Sequence, residues 1–133
     1  MIRLYTDDDY EDLKRWSLDH GVDVFPPHIY RVGLVDEADG GEKHGMVFVL
    51  MSNAGEGIAF IEWLTMNPAN SARQSAKSEE ALMGAAQALA KEHNYGMVVT
   101  HVPKRRIWRY KRKGWIENHE IVPIFKAIKH DGH

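Results

Sequence analysis

From Ile58 to Val102 the chain reads strand, loop, helix, strand, and this block constrains the fold more than any other stretch. "IAFIEWLTM" is the longest strand candidate. "SAKSEEALMGAAQALAKEHNYG" is the strongest helix: it is rich in alanine, it sets Leu82, Ala85, Ala86 and Leu89 on one face, and the Asn94–Gly96 region closes it. "MVVTHV" is an unbroken apolar strand of the kind buried on both faces. A chain organised around such a block is an α/β protein.

The segments before it read as a mostly antiparallel first half. "MIRLY" is a short strand and "TDDDYEDLKRWSLDHG" the helix after it. Thr6 is placed to cap that helix with Asp9 at the capping-box position, and the three aspartates suit its positive start. Tyr10 and Leu13, with Trp16 or Ser17, form the inward stripe, and Gly21 ends the helix. The prolines make "VDVFPPHIY" an extended connection. "YRVGLVDE" and "GMVFVLMS" are strands joined by the hairpin loop "ADGGEKH", and "NAGEG" is the next turn. After "MVVTHV" a basic stretch forms a short helix, and "WIEN" and "EIVPIFKAI" read as terminal strands, with Pro123 near an edge. The predicted order is β-α-β-β-β-α-β-α-β-β. Residues 1–128 are expected to form one domain, and residues 129–133 a disordered tail.

Composition narrows the function. The 133 residues suffice for one domain with a real core. No apolar run approaches the length of a bilayer span and no apolar N-terminal stretch follows a basic start, so a cytoplasmic protein without a membrane partner is expected. Cysteine is absent, which excludes disulfides, thiol nucleophiles and thiolate metal sites. The eight histidines (20, 28, 44, 93, 101, 119, 130 and 133) show no ligand spacing, and no metal site is expected. His101 ends an apolar strand. Charge is uneven: residues 1–66 hold 5 Lys/Arg against 13 Asp/Glu, and residues 67–133 hold 12 against 6. Either the basic part meets an anionic partner, or the two halves attract each other within one fold. Much of the positive charge lies in "KRRIWRYKRK", residues 104–113, with seven basic side chains in ten positions.

Two features carry chemistry. By the two-residue period, Ile58, Phe60, Glu62, Leu64 and Met66 share one face of their strand. A carboxylate buried there has its pKa raised by desolvation and becomes a better base near neutral pH. The alternatives are a wet strand-end position or a buried ion pair. The second feature is the loop "ARQSAKS" leading into the strong helix. With Ser75 as cap, the first-turn N–H groups of Ala76, Lys77 and Ser78 suit an anionic phosphate, and Arg73 and Lys77 add charge. An ordinary capped helix start has the same residues.

The element order and these spacings together resemble the GCN5-related N-acetyltransferase family. Its phosphate loop, Arg/Gln-x-x-Gly-x-Gly/Ala after the fourth strand, is matched by Arg73-Gln74-Ser75-Ala76-Lys77-Ser78, with Ala76 and Ser78 at the small positions. Its later Tyr-x-x-x-Gly-Phe stretch appears as Tyr110-Lys111-Arg112-Lys113-Gly114-Trp115, with Trp in place of Phe, and the asparagine often found seven residues before that tyrosine is Pro103. Small members of the family occur in bacteriophage genomes.

The resemblance implies a mixed central sheet of six to seven strands flanked by helices, with the fourth and fifth strands splayed. It implies acetyl-CoA as co-substrate, its pantetheine arm on the backbone of Leu64, Thr65 and Met66 and its pyrophosphate on residues 73–78. Ile107 would face the cofactor cleft. An amine would attack the acetyl group directly, Glu62 taking the amine proton and Tyr110 protonating the departing thiolate. The acceptor would be a primary amine, on a small molecule or on a protein lysine or N-terminus, lying near "DHGVDVFPPHIY" and "ENHEIVPI", in a monomer or homodimer. The rival readings are a nucleic-acid-binding protein using the basic 104–113 helix, with Trp108 stacking on a base, and a catalytically inactive interaction protein of the same fold.

Overall fold

The computed structural model describes residues 1–51 and 57–117. They form two compact units, Met1–His101 and a second beginning at Val102. The turn read at "NAGEG", the strand "EIVPIFKAI" and the tail from residue 129 fall wholly or mostly outside the described residues.

The first unit is a twisted sheet with a helix on each face. Its strands are β1 (Ile2–Leu4), β2 (Gly33–Glu37), β3 (Lys43–Leu50), β4 (Ile58–Met66) and β5 (Met97–Thr100), in the order β1-β2-β3-β4-β5. The first four are antiparallel neighbours, while β5 lies parallel to β4. Helix α1 (Tyr10–Asp19) links β1 to β2, and α2 (Ala72–Glu92) is the crossover from β4 to β5 that a parallel pair requires. The expected element order holds through β5 and the short α3 (Ile107–Lys111) of the second unit. The sheet has five strands among the described residues rather than six or seven, and Trp115–Glu117, the start of "WIEN", carry no strand.

Alternation along β3 sorts the core. Met46 and Phe48 join Tyr5, Leu13, Trp16, Tyr30 and Val35 on the α1 face. Val47 and Val49 point the other way, toward the face of α2, whose buried stripe is Ser78, Glu79, Leu82, Met83, Ala86 and Ala90. Ala85 and Leu89, expected inward, flank that stripe half-buried. "MVVTHV" is less enclosed than its apolar run predicts: Met97 is exposed and Val98, Val99 and Thr100 are half-buried.

The acidic start of α1 is consumed internally. Arg3 donates to both Asp9 oxygens at 2.8 Å and to Glu37 at 3.2 Å, and Lys43 bridges Asp9 (2.8 Å) and Asp12 (2.9 Å). Asp9 also accepts the Thr6 N–H at 2.9 Å, as the capping-box reading requires. Burial pushes the Asp9 pKa up, but the hydrogen bonds from Arg3, Lys43 and Thr6 outweigh it and hold the carboxyl well below the usual carboxylate range. Part of the negative charge of the first half is therefore neutralised by basic residues of the same half.

Candidate functional site

The site lies where β4 and β5 part. Four register pairs join them, from Ile58↔Met97 to Ile61↔Thr100; then β5 ends while β4 runs on to Met66. The last pair is pinned by the Thr100 hydroxyl, which donates to the Ile61 carbonyl at 2.6 Å. From Glu62 to Met66 the edge of β4 facing β5 has no strand partner among the described residues.

A β-bulge falls in this same stretch. On β3 the register advances two residues from Met46 to Phe48, but on β4 it advances three, from Thr65 back to Glu62. Trp63 absorbs the extra residue with φ +58°, in the left-handed region that side chains other than glycine rarely adopt. Its ring is held against Phe25, Tyr30 and Phe48, with centroids at 5.2, 5.4 and 6.1 Å. The bulge also corrects the alternation expected from sequence. Glu62 pairs with Phe48 on the α1 face, but Met66 pairs with Gly45, where an added Cβ would meet Met66 and Leu82 on the α2 face. Glu62 and Met66 are on opposite faces because one inserted residue reverses the period.

Glu62 is the first residue beyond the last β4–β5 pair. Its side chain is 18% exposed, and one carboxylate oxygen lies 2.5 Å from Nδ1 of His101, itself 47% exposed. Burial pushes the Glu62 pKa above the usual carboxylate range, and the contact with His101 offsets this only in part. The geometry gives Glu62 a partner, as the ion-pair reading expects, and keeps the carboxylate largely enclosed. His101 follows β5 directly, and its backbone is fixed through Thr100.

The loop after β4 is stitched to β3. Asn67 Nδ2 donates to the Lys43 carbonyl at 2.9 Å and Asn70 Nδ2 to the His44 carbonyl at 2.7 Å. These two asparagines deliver the start of α2, and it comes earlier than the sequence predicts. The cap is Ser71, whose Oγ accepts the Gln74 N–H at 3.0 Å, and the helix begins at Ala72. Ser75 is therefore not the cap; its own N–H already bonds the Ser71 carbonyl at 3.0 Å. Ser75, Ala76, Lys77 and Ser78 sit inside the helix, so their amides are not the first-turn donors expected of them. Ser78 is fully buried, donating to Asp36 at 2.6 Å and accepting from Gln74 Nε2 at 2.9 Å. The amides without an intrahelical acceptor are those of Ala72 and Arg73. That first turn has no acidic residue, and Arg73 is exposed.

Leu64, Thr65 and Met66 lie on the open stretch of β4, but the Met66 carbonyl already contacts His20 Nε2 at 2.8 Å. In the second unit, Tyr110 is buried on α3 and packs edge-on to Trp115, with centroids 5.7 Å apart, and Ile107 is half-buried. Trp108 is half-exposed, and Arg109 and Arg112 lie over its ring at 5.4 and 5.7 Å. Among the described residues no group of three His, Cys, Asp or Glu could hold a metal ion, and no helix is long and apolar enough to cross a membrane.

No family model and no curated protein sequence matches the chain. Solved structures do. An acetyltransferase from Trypanosoma brucei superposes with a TM-score of 0.69 at 12% identity, over 95% of this chain and 99% of that one. An aminoglycoside acetyltransferase from an uncultured soil metagenomic sample, in complex with sisomicin, gives 0.66 at 14% identity over 97% and 96%. An aminoglycoside N-acetyltransferase in complex with CoA gives 0.62 at 15% identity over 97% and 100%. At such identities the likeness is one of fold. The chain shares the fold of these acetyltransferases.

Proposed function

We propose that the chain is an acetyl-CoA-dependent N-acetyltransferase acting on a primary amine, carried by a small molecule or by a protein lysine or N-terminus. The observation that carries the reading is the position of Glu62. A desolvated carboxylate stands at the first residue beyond the parallel pairing, beside a strand edge with no partner among the described residues. That edge, at Leu64 and Thr65, offers backbone groups to an amide-bearing arm. The start of α2 suits a pyrophosphate: the amides of Ala72 and Arg73 point along the positive end of a long helix, Arg73 adds charge, and Ala72 keeps the approach clear. The phosphate contact thus moves toward the Ser71–Gln74 turn from the 73–78 stretch read in the sequence.

Acetyl-CoA supplies the acyl group as a thioester. The protein's part is to hold an amine against it and to move two protons. The pair formed by Glu62 and His101 takes the proton from the attacking amine. Tyr110 is assigned the thiolate proton, and Ile107 a cofactor contact, on the family resemblance alone. Acid–base help of this kind is typically worth about 10² to 10⁴ in rate. The rival nucleic-acid reading has less support, since Arg109 and Arg112 of the same helix already lie over the half-exposed ring of Trp108.

Calorimetry with acetyl-CoA is the test. Saturable binding is expected, weakened about tenfold or more by Arg73→Glu, the worth of one charge-assisted contact. Absence of binding would overturn the reading.

A further inference from the structure

We infer that His101, through Nε2, is the atom that takes the proton from the amine, and that Glu62 is the positioning residue that holds the imidazole through Nδ1. This rests on the acetyl-transfer reading above.

The argument begins from which atoms are already engaged. Nδ1 of His101 is 2.5 Å from Glu62 Oε1, so the ring nitrogen left for other partners is Nε2. An ionised carboxylate only accepts hydrogen bonds. With Glu62 charged, the proton between the two groups sits on Nδ1, and the neutral imidazole then carries its lone pair on Nε2. Exposure points the same way: the carboxylate is the more enclosed of the two at 18%, and the imidazole the more open at 47%. An enclosed acceptor that orients an accessible imidazole is the division of labour seen wherever a carboxylate fixes a histidine base.

Among the described residues, the surroundings hold the pair in place and add no competing charge to it. From β3 the residue in register with Glu62 is Phe48, and from β4 itself the flanking residues are Ile61 and Trp63. His20, the residue after α1, reaches β4, but at the Met66 carbonyl. Among the described residues, the titratable group facing Glu62 is His101. Both residues sit one step beyond the Ile61–Thr100 pin, so a single side-chain hydrogen bond fixes the two backbones that carry them.

In the reaction the N–C bond forms as the C–S bond breaks. The amine nitrogen's surplus proton passes to Nε2, giving an imidazolium paired with the Glu62 carboxylate. The sulfur keeps the electron pair of the broken bond and takes a proton, assigned above to Tyr110. Imidazolium then returns its proton to water and the tyrosine is reprotonated, so the sum is amine plus thioester giving amide plus thiol.

Nitrogen NMR of ¹⁵N-histidine-labelled protein reads the tautomer without any turnover. The His101 signal, assigned by its loss in His101→Gln, is expected in the Nδ1–H form and to move toward the Nε2–H form in Glu62→Ala. Thiol release from acetyl-CoA, with spermidine, an aminoglycoside and a lysine peptide as acceptors, supplies the second arm. There His101→Gln is expected to lower kcat about 10² to 10⁴-fold while acetyl-CoA binding by calorimetry stays unchanged. An Nε2–H tautomer in the wild type, or one indifferent to Glu62→Ala, overturns the assignment of atoms. The expected tautomer with kcat within a few-fold in His101→Gln returns the base role to Glu62 and leaves acetyl transfer standing. Failure of the wild type to bind acetyl-CoA overturns the acetyl-transfer reading itself, and this role with it.

Discussion

The two ends of β4 are one strand with two environments. From Ile58 to Ile61 it is paired with β5, at Phe60 and Ile61 with β3 as well, and Ala59 and Ile61 are fully buried against the α2 face. From Glu62 to Met66 it is paired on one side among the described residues, carries an inserted residue and keeps every side chain partly accessible. In the first end Ala59 and Ile61 are buried as in a sheet interior and contribute stability, while Ile58 and Phe60 stay exposed on the other face. The second has strand hydrogen bonds along one edge only, among the described residues, and holds a carboxylate largely away from water. The cost of that arrangement is offset by the aromatic packing around Trp63 and by the Thr100 pin. The division falls between residues 61 and 62, which makes it testable one side chain at a time.

The largest stability effect is expected in the doubly paired end. Ile61→Ala removes a fully buried side chain and should destabilise the protein by about 2–5 kcal/mol, read by urea unfolding. One residue further, the sign should reverse. Glu62 has a raised pKa in the fold, so its contribution to stability is fullest below the ordinary value of 4.5 and is lost as pH rises through the folded pKa. Glu62→Gln removes that dependence. At pH 8 the variant should melt above the wild type, and the gap should close as pH falls toward 4.5. A variant that melts below the wild type at pH 8 would mean the contact with His101 outweighs the burial, and the two ends of β4 would not differ in this way.

How far the sequence could be read follows the same line. The elements were legible because periodicity and caps are local: Thr6 and Asp9 do meet, Leu13 and Trp16 are buried, and Gly21 closes its helix with φ +73°. The start of α2 was misread by four residues because Ser71 and Ser75 are equally good caps, and the deciding contacts, Asn67 and Asn70 to β3, are long-range. An Asn-Pro-x-Asn run just before a helix was the available signal. The bulge at Trp63 had none: tryptophan is a strand former, and only the facing register of β3 reveals the extra residue. Glu62 stood out as a lone carboxylate in an apolar strand. His101 could be marked as near the site, but its contact with Glu62 depends on where the parallel register ends, which no local pattern states.

Trp63 and Thr100 sharpen the comparison at smaller scale. Replacing Trp63 by Ala or by Gly deletes the same ring contacts, so the difference between the variants isolates the backbone. At φ +58° glycine is at ease and alanine is not, and Trp63→Gly should be the more stable by about 1 kcal/mol, against the usual order in a strand. The reverse order would mean that the bulge relaxes once the ring is gone. In that case the aromatic cluster, rather than the register, is what creates it.

Thr100→Val is expected to act least on stability and most selectively on the site. It keeps the β-branched shape and removes the hydroxyl that donates to the Ile61 carbonyl at 2.6 Å, a loss of about 1 kcal/mol. That carbonyl belongs to the residue just before Glu62, and Thr100 precedes His101. A loosened pin should therefore lower turnover by more than its stability cost, because both members of the pair lose their shared anchor. Unfolding and turnover measured on the same preparation give the comparison. If activity falls only in proportion to the folded fraction, the Glu62–His101 contact is held by its own geometry and needs no pin.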